Sequence, residues 1–410
     1  MVILYQFSIF LYTQLLRIAS LFNPKAKQWI EGRKNTFAYL DKNLSSSDEL
    51  IWFHCASLGE FEQGKPLMER LKKEQPHYKI LVTFFSPSGY ELRKNTDFAD
   101  YVCYLPVDTK TNAIQFIHKV QPQKVFFIKY EFWNFYLQEL KQQQIPTYLI
   151  SGVFRPSQLF FKPYGCFHRK MLRCFTHFFL QNTTSEKLLH QINIENTTVS
   201  GDTRIDNVFK NSLNPKKIPL IKKFTANKKT IVLGSSWQNE EEIISNYISS
   251  TNKAFNYIIA PHDISKAHIK KIESLLKNNY VLYSNATLEN VQKFNILIID
   301  NIGILASVYQ YTDIAFVGGG FSGSLHNILE PASFGNAILF GPKHKKFHEA
   351  AELISAKGAF SIDSLDDFIA IVNHLSVENQ LENTCNASKK YIEDGIGATD
   401  KIWEIISKQD

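Results

Sequence analysis

D-I-A-F-V-G-G-G-F-S-G-S-L-H-N-I-L-E-P-A-S-F-G-N-A-I-L-F-G-P, residues 313–342, is the stretch that decides the fold. An apolar run, Ile314–Val317, leads into a glycine cluster and a short helical pattern, and a second apolar run, Ala337–Phe340, follows. This order predicts strand, tight turn, helix and strand. A turn without Cβ atoms lets backbone N–H groups approach a phosphate at a helix N-terminus. Glu330 lies one turn into the helix, where it can reach the hydroxyls of a ribose. The segment therefore predicts a nucleotide-binding site.

The same glycines also fit the dinucleotide pattern G-x-G-x-x-G, through Gly318, Gly320 and Gly323. That pattern requires an acidic residue about 20 positions further on, at the end of the second strand. Here the corresponding residues, 339–343, read L-F-G-P-K and contain no acid. The motif also lies late in the chain. These features disfavour NAD or FAD, and a turn that only joins a strand to a helix remains the structural alternative.

Length and composition indicate a two-domain protein of a reducing compartment. A chain of 410 residues is long enough for two hydrophobic cores. The net charge of +7 favours anionic partners without identifying them. The five cysteines show no C-x-x-C spacing, and their odd number argues against a disulfide framework or a zinc site.

The N-terminus is the most apolar part of the chain. Residues 1–16 carry no charged side chain, and Arg17 is the first. A secretory signal would begin with positive charge and end in small residues, and neither feature is present. The polar residues form one narrow helical stripe: Gln6, Thr13, Arg17 and Ser20. Basic residues follow closely: Lys25, Lys27, Arg33 and Lys34. This pattern predicts a membrane-anchor helix over residues 1–23 on the cytoplasmic side, with a buried or oligomer-forming helix as the alternative.

The rest of the chain alternates short apolar runs with helical patterns. Strands are predicted in the first half at Leu50–His54, Ile80–Phe84, Tyr101–Leu105, Val125–Ile128, Thr147–Ile150 and Phe178–Leu180. In the second half they are predicted at Thr230–Gly234, Tyr257–Ala260, Val281–Tyr283, Ile296–Ile299, Ile314–Val317 and Ala337–Phe340. Such alternation predicts an α/β protein with two doubly wound, Rossmann-like domains and a ligand at the carboxyl ends of the strands, in a central cleft. The predicted boundaries are residues 24–210, a lysine-rich linker at 211–228, residues 229–385, and a C-terminal helix at 386–410 that packs back towards the first domain.

Two carboxylates follow predicted strands of the first domain. The first strand runs into H-C-A-S-L-G-E, which places Glu60 at a helix N-terminus, where it can act as a general base or simply cap the helix. Glu131 follows another apolar run, between aromatic residues, and is either a cleft-facing acid or a buried structural one. The two could form a pair in which one tunes the other. The chain contains neither Asp-x-Asp nor H-E-x-x-H, so a metal-free mechanism is predicted.

At this point the motifs carry a family resemblance. They are S-L-G-E-F (57–61), S-P-S-G-Y (86–90), Y-L-P-V-D (104–108), Y-E-F-W-N (130–134), G-D-T-R-I-D (201–206) and H-N-I-L-E-P-A-S-F-G (326–335). In this order the chain resembles the 3-deoxy-D-manno-octulosonic acid (Kdo) transferases of lipopolysaccharide biosynthesis, glycosyltransferase family 30, which fold as GT-B enzymes. The resemblance covers nearly the whole chain, including the N-terminal anchor. H-N-x-L-E-P alone is widespread among GT-B enzymes, and its combination with S-x-G-E and E-x-W-N is specific.

The resemblance implies inverting, metal-independent transfer of Kdo from CMP-Kdo to a lipid A precursor at the inner membrane. Glu60 matches the catalytic base and Glu131 the supporting acid. The residues matching the donor site are Ser235, Ser236, His262, Gly320, Gly323, Ser324, His326, Asn327 and Glu330. The residues expected to contact the acceptor in the first domain are Ser57, Gly59, Ser86, Arg155, Lys162 and Arg169. The resemblance implies no cofactor beyond the donor and no nucleic-acid partner.

The chain departs from the family pattern in two places. Where many members have a Pro-Arg-His-Pro-Glu-Arg-like stretch, residues 260–265 read A-P-H-D-I-S, so His262 takes the place of an arginine. The glycine turn also lacks the basic residue that often precedes His-Asn. Two alternative functions remain: a GT-B enzyme that uses a UDP-sugar, such as a lipid-linked glycosyltransferase or a UDP-GlcNAc 2-epimerase, and a non-catalytic sugar-nucleotide-binding protein.

Overall fold

The computed structural model describes residues 1–251, 255–276 and 279–409, and the chain divides into two compact units. Unit 1 contains Met1–Asn207 and Gly397–Asp410, and unit 2 contains Val208–Ile396. Each unit holds one seven-stranded sheet, in which the paired strands run parallel. The predicted α/β fold with two doubly wound sheets is confirmed.

The strand order places one reversal point in each sheet. Unit 1 contains β1 (Leu50–Cys55), β2 (Lys79–Phe84), β3 (Tyr101–Tyr104), β4 (Lys124–Ile128), β5 (Thr147–Gly152), β6 (His177–Leu180) and β7 (Thr197–Val199). Unit 2 contains β8 (Thr230–Ser236), β9 (Asn256–Pro261), β10 (Tyr280–Leu282), β11 (Ile296–Ile298), β12 (Ile314–Val317), β13 (Ala337–Phe340) and β14 (Ala359–Ser361). The orders are β3-β2-β1-β4-β5-β6-β7 and β10-β11-β9-β8-β12-β13-β14. The order therefore reverses between β1 and β4 and between β8 and β12, where α/β sheets bind ligands at their carboxyl edge.

Helices connect the strands in both units. Unit 1 contains α1 (Val2–Ala19), α2 (Pro24–Lys34), α3 (Thr36–Asn43), α4 (Leu58–Glu74), α5 (Pro87–Arg93), α6 (Lys110–Val120), α7 (Asn134–Gln142), α8 (Cys166–Leu172) and α9 (Thr183–His190), and α10 (Thr203–Leu213) continues into unit 2. Unit 2 contains α11 (Pro219–Thr225), α12 (Gln238–Ser250), α13 (Lys266–Leu276), α14 (Leu305–Val308), α15 (Leu329–Ser333), α16 (His348–Ser355), α17 (Leu365–Leu375) and α18 (Gln380–Asp394). The last helix, α19 (Ala398–Ile406), belongs to unit 1.

Strand β1 shows why these sequences form central strands. All six of its residues, L-I-W-F-H-C, are buried, because a parallel sheet is covered by helices on both faces. Trp52 belongs to the hydrophobic core on one face of the sheet, and Ile51 and Phe53 belong to the core on the other. His54 is the polar exception and is fully buried near the carboxyl end of the strand.

The structure differs from the sequence prediction at the edges of the sheets and at the domain boundaries. Edge strands β7 and β14 are absent from the prediction, and each has only three residues. The segment 211–228, predicted as a linker, contains the end of α10 and all of α11. Helix α11 begins at Pro219, because a proline is well suited to the first position of a helix. The segment predicted as one C-terminal helix, 386–410, contains the second half of α18 and then α19.

Helix α19 packs into the core of unit 1. Ile402, Trp403 and Ile406 lie in the same hydrophobic cluster as Met68 and Leu71 of α4. Its N-terminus is held by Asp206, whose carboxylate accepts the N–H of Gly397 and of Thr399 at 2.8 and 2.7 Å. The two ends of the chain therefore both contribute to unit 1.

Helix α1 lies at the surface of unit 1. Its 18 residues have a mean hydropathy of 1.4, and the helix is long and apolar enough to cross a membrane by length and composition. None of its residues is buried. Large apolar side chains such as Ile3, Phe7, Phe10 and Leu15 are exposed. The predicted apolar helix at the N-terminus is thus present.

Candidate active site

Glu60 lies in the first turn of α4, directly after β1. Ser57 occupies the N-cap position of α4 and donates its hydroxyl to Oε2 of Glu60 at 2.8 Å. Burial and the negative charge of Glu131 raise the pKa of the Glu60 carboxyl, while Ser57 and Lys129 oppose that shift. A carboxylate with a raised pKa is a stronger base than an ordinary glutamate, which suits proton abstraction from a sugar hydroxyl.

Glu131 follows β4, the strand that neighbours β1 at the reversal point. The chain turns at Lys129, whose φ of 67° lies in the left-handed region that side chains other than glycine rarely adopt. Oε2 of Glu131 accepts the indole N–H of Trp133 at 2.8 Å and lies 3.1 Å from Nε2 of His54. Only 12% of the Glu131 side chain is exposed. The structure thus brings the two predicted carboxylates to one sheet edge.

A second layer of polar residues supports Glu131 from inside the sheet. Nδ1 of His54 lies 2.8 Å from Oγ1 of Thr83 on the adjacent strand β2. The indole N–H of Trp52 donates to the same hydroxyl at 2.8 Å. His54, Thr83 and Trp52 are all fully buried, so each hydrogen bond lies in a region without competing water.

The residues expected to contact the acceptor lie in different surroundings. Ser86 occupies the N-cap position of α5, and its hydroxyl lies 2.6 Å from that of Ser88. Gly59 is exposed in the first turn of α4. The exposed Arg155 donates to the hydroxyl of Tyr130, the neighbour of Glu131, at 3.3 Å. Ser86 and Gly59 follow the neighbouring strands β2 and β1, and Arg155 lies beside the Glu131 segment.

Arg169 and Lys162 belong to a loop that Arg169 itself holds together. The guanidinium of Arg169 donates to the carbonyl oxygens of Phe160, Lys162 and Pro163 at 3.0, 2.9 and 3.4 Å. Arg169 thus has a structural role, whereas the side chain of Lys162 is half-buried on the same loop. Acceptor contact by these two residues remains a prediction.

In unit 2 the glycine turn follows β12, beside the end of β8. Ser235 near the end of β8 has a φ of 51°, and a Cβ on Gly318 would lie 2.1 Å from the carbonyl oxygen of Ser235. A Cβ on Gly320 would lie 2.3 Å from the backbone nitrogen of Gly341. Gly318 and Gly320 are therefore required by close backbone approach. Gly323, with a φ of 80°, has no such close neighbour.

Two buried glutamates of α12 hold this turn and the end of β8. The carboxylate of Glu240 accepts the backbone N–H of Gly319 at 2.9 Å and that of Trp237 at 3.1 Å. Burial raises the pKa of Glu240. Ser236 donates its hydroxyl to Glu241 at 2.9 Å. Ser236 is fully buried, so its side chain supports the turn from within, while the half-buried Ser235 lies nearer the surface.

Three aromatic rings form a stack at the same edge. The rings of Trp237 and His262 lie 4.5 Å apart, and those of His262 and His326 lie 4.7 Å apart, with interplanar angles of 27° and 30°. The indole N–H of Trp237 donates to Nε2 of His326 at 3.2 Å. Burial and the neighbouring His262 lower the pKa of His326 to about 4. The structure thus brings the predicted residues His262 and His326 into direct contact.

The remaining predicted donor residues follow His326. Asn327 donates its amide to Oε1 of Glu330 at 3.1 Å and caps the start of α15 by accepting the N–H of Leu329. Ser324 and Asn327 are exposed, and Glu330 is half-buried. In the described parts of the chain, no group of three or more His, Cys, Asp or Glu side chains is placed to hold a metal ion.

Sequence reasoning missed several residues of these two edges: His54, Thr83, Lys129, Trp237 and Glu240. Trp237 directly follows the predicted Ser236 and Lys129 lies two residues before the predicted Glu131, so their positions at strand ends could have indicated them. His54 and Thr83 lie inside apolar strands, where their polar side chains are the one feature of the sequence that could indicate a functional role. Their contact with each other depends on the pairing of β1 with β2.

Comparison with known proteins supports one family. Residues 31–207 match the family model described as 3-deoxy-D-manno-octulosonic-acid transferase (kdotransferase). The chain is 27% identical over 395 residues to the 3-deoxy-D-manno-octulosonic acid transferase of Rickettsia bellii, covering 93% of each protein. It is 26% identical over 399 residues to a bifunctional glycosyltransferase/methyltransferase of Fusobacterium nucleatum. That match covers 92% of this chain, which spans only 60% of the length of the relative.

Solved structures show the same fold at low sequence identity. The UDP-GlcNAc 2-epimerase of Neisseria meningitidis aligns with a TM-score of 0.62 at 20% identity, over 88% of this chain and 100% of the epimerase. The MurG structure from Acinetobacter baumannii aligns with a TM-score of 0.58 at 11% identity, over 88% of this chain and 99% of MurG. The predicted GT-B fold and the resemblance read from the motifs are both confirmed. The chain is therefore a GT-B relative of the Kdo transferases.

Proposed function

We propose that the protein transfers Kdo from CMP-Kdo to a sugar hydroxyl of a lipid A precursor, with inversion and without a metal ion. The observation that carries the proposal is the half-buried Glu60, whose pKa is raised beside Glu131 at the reversal point of unit 1. The similarity to Kdo transferases over most of the chain supports the choice of donor and acceptor.

In the proposed reaction Glu60 takes the proton of the acceptor hydroxyl. The hydroxyl oxygen forms a bond to the anomeric carbon of Kdo, and the bond from that carbon to the phosphate oxygen of CMP breaks. CMP leaves with the electron pair of that bond. Because attack comes from the side opposite the leaving phosphate, the configuration at the anomeric carbon inverts. Ser57 holds the Glu60 carboxylate by its hydrogen bond at 2.8 Å.

We assign binding of the donor to unit 2. We assign the ribose hydroxyls to Glu330, and the phosphate and the Kdo carboxylate to the segment containing Gly323, Ser324, His326 and Asn327. His262, stacked 4.7 Å from His326, would take the place of the arginine that many family members have. CMP is a good leaving group, and we assign the stabilisation of its developing charge to the hydrogen-bond donors of this segment and to the His262 imidazole.

Helix α1 supports a position at the membrane surface. One side of the helix contacts unit 1 through the rings of Tyr5 and Tyr12, while large apolar residues elsewhere on it are exposed. A helix that is docked on its own protein and apolar elsewhere fits an interfacial position. We propose that α1 holds the protein on the inner membrane, where an acylated acceptor is located.

The nucleotide separates this proposal from the UDP-sugar alternatives. Thermal-shift titrations with CMP and UDP should show stabilisation by CMP at concentrations where UDP has no effect, because a ligand stabilises the state that it binds. His326→Ala should reduce the CMP-induced shift. Preferential stabilisation by UDP would contradict the proposed donor and favour a UDP-sugar enzyme of the same fold. A non-catalytic role would instead leave cellular function intact in Glu60→Gln.

A further inference from the structure

His54 has a polar contact at each of its ring nitrogens, although it is fully buried in the sheet of unit 1. Nδ1 lies 2.8 Å from Oγ1 of Thr83, and Nε2 lies 3.1 Å from Oε2 of Glu131. The ring has no exposed surface. A buried polar side chain costs free energy unless its partners are satisfied, so the partners of His54 decide which ring nitrogen carries the proton.

Two indole N–H groups limit the directions of these hydrogen bonds: that of Trp52, which contacts Thr83, and that of Trp133, which lies 2.8 Å from Oε2 of Glu131 and 3.1 Å from Nε2 of His54. An indole N–H can only donate, so Oγ1 of Thr83 accepts from Trp52 at 2.8 Å. The hydroxyl proton of Thr83 is then available to Nδ1 of His54. With Nδ1 as acceptor, the neutral ring carries its proton on Nε2 and donates it to the Glu131 carboxylate.

Glu131 thereby receives two N–H donors on one oxygen. We assign the indole N–H of Trp133 to this oxygen, which is the charged partner and lies at 2.8 Å, rather than to Nε2 of His54 at 3.1 Å. Two donors from two different elements, β1 and the segment before α7, fix the carboxylate in one orientation. Charge-assisted hydrogen bonds of this kind are about twice as strong as neutral ones.

We propose that His54, held as the Nε2–H tautomer by Thr83 and Trp52, is a positioning residue that fixes the Glu131 carboxylate beside Glu60. Its catalytic consequence rests on the proposed function, whereas the tautomer can be measured without any substrate. The chain of donors runs from Trp52 through Thr83 and His54 to Glu131, and it holds one negative charge in a constant place.

The position of the Glu131 charge matters because this charge changes the pKa of Glu60, the proposed base. Burial and the charge of Glu131 raise the pKa of Glu60, and Lys129 lowers it. Burial, and the charges of Glu60, Glu131 and Glu62, also raise the pKa of the Cys55 thiol, which lies in the adjacent hydrophobic core. If Glu131 lost its fixed position, the pKa of Glu60 would lose the part of its increase that Glu131 contributes, and Glu60 would become a weaker base.

The first test is the tautomer of His54 in the protein without ligands. Nitrogen-15 NMR of histidine-labelled protein, with His54 assigned from the His54→Gln spectrum, distinguishes the two ring nitrogens. The expected result is a protonated Nε2 and an unprotonated Nδ1, and Thr83→Val should alter the Nδ1 resonance. A protonated Nδ1, in a neutral or a charged ring, would overturn the proposal.

The second test uses variants that separate the two hydrogen bonds. His54→Phe removes both and should lower kcat about 10- to 100-fold, the effect of losing one hydrogen bond to a charged group, with KM nearly unchanged. The acid limb of the pH–rate profile should also move to lower pH. His54→Gln retains an N–H near the position of Nε2 and should recover kcat to within about 3-fold of the wild type.

The matched control is His177→Gln. His177 opens β6 at the amino end of the sheet and also contacts a threonine, Thr198, at 2.9 Å. The variant His177→Gln should leave kcat and the pH–rate profile unchanged. Thr83→Ser is the matched control for Thr83→Val. It keeps the hydroxyl and should therefore leave the Nδ1 resonance of His54 unaltered.

The outcomes separate the two claims. An inactive wild type with the expected tautomer would contradict the proposed function and leave the assignment of His54 standing. A folded His54→Phe with the kcat and the acid limb of an active wild type would overturn the positioning role. The positioning role would also be overturned if His54→Gln were as inactive as His54→Phe and the acid limb of the pH–rate profile did not move.

Discussion

The hydroxyl of Tyr5 donates a hydrogen bond to Oδ2 of Asp108 at a distance of 2.5 Å. Asp108 also accepts the backbone N–H groups of Phe135 and Tyr136 at the start of α7, and the ring of Tyr5 packs against Phe135 and Phe167. The exposed helix α1 is thereby connected to α7, the helix that follows Glu131 and Trp133. This contact joins the proposed membrane helix to the segment that carries the second carboxylate.

Asp108 should make stability depend on pH. Burial raises its pKa from 3.8 to about 6, so between these values the folded protein binds more protons than the unfolded chain. The contribution of Asp108 to the free energy of unfolding is therefore fully present below about pH 4 and is lost as pH rises to about 6. The substitution Asp108→Asn keeps an acceptor oxygen and removes the titration.

Urea unfolding at several pH values measures this effect. The stability of Asp108→Asn relative to the wild type should increase between about pH 4 and pH 6, by at most about 3 kcal/mol for a pKa difference of roughly two. A difference that stays constant over this range would show that Asp108 does not titrate as described. Tyr5→Phe removes the hydrogen bond to Asp108 and should lower the free energy of unfolding both at about pH 4 and at about pH 6.

Helix α1 should bind anionic membranes through its exposed apolar residues. Phe7 and Phe10 are 59% and 58% exposed, and insertion of a phenylalanine removes apolar surface from water. The double variant Phe7→Glu/Phe10→Glu should lower partitioning to phosphatidylglycerol-containing liposomes at least about 10-fold. The control variant, Ile302→Glu, alters an exposed apolar residue of unit 2 that is 83% accessible. If both variants bind as the wild type does, α1 is not the membrane contact.

Donor binding should be accompanied by proton uptake. His326 has a pKa of about 4 because of burial and the nearby His262, so it is neutral at about pH 5.5 in the free protein. A phosphate bound beside the ring would raise the pKa of His326. Calorimetry of CMP binding at about pH 5.5 in two buffers of different ionisation enthalpy should therefore show protons taken up.

His326→Gln should reduce that uptake, and His374→Gln, on the exposed surface of α17, should not. Binding enthalpies that are equal in the two buffers would place the phosphate away from the His326 ring.

Gly320 and Gly323, both in the glycine turn after β12, should respond differently to alanine. In Gly320→Ala the new Cβ would lie 2.3 Å from the backbone nitrogen of Gly341, and in Gly323→Ala it would lie 3.7 Å from its nearest neighbour, at a φ of 80°. Gly323→Ala should cost about 1 kcal/mol for the left-handed backbone, and Gly320→Ala should cost clearly more, because backbone must move. Chemical denaturation measures both values, and an equal cost would contradict the close approach of the two segments.

The sequence predicts the central strands and the positions of both carboxylates for the same physical reason. Central parallel strands such as β1, β4 and β12 are continuous apolar runs, and residues just after them lie at the carboxyl edge, as Glu60 and Glu131 do. Edge strands β7 and β14 lack this signal: Thr197–Val199 is only half-buried, and Ala359–Ser361 ends in an exposed residue.

Contacts between distant segments lie beyond the sequence pattern. Thr83 lies 29 residues from His54, and their contact requires β1 to pair in register with β2. Trp237 and His326 are separated by 89 residues and meet only because β8 neighbours β12 at the reversal point. Helix α11 is missed because its lysines, Lys222 and Lys223, obscure the buried pair Ile221 and Phe224.

The most direct test of the account is transfer of Kdo in the presence of EDTA. CMP-Kdo, generated in the reaction mixture, and a tetraacylated lipid A precursor in detergent would be incubated with the wild type, Glu60→Gln and Glu69→Gln. Glu69 lies on the same helix and pairs with Lys65 at 3.7 Å, so its variant is the matched control. We expect product from the wild type and from Glu69→Gln, and a rate reduced by at least about 100-fold in Glu60→Gln, since the general base contributes roughly 10²- to 10⁴-fold. Product formed by Glu60→Gln at the wild-type rate, or no product from a wild type that binds CMP, would contradict the assignment.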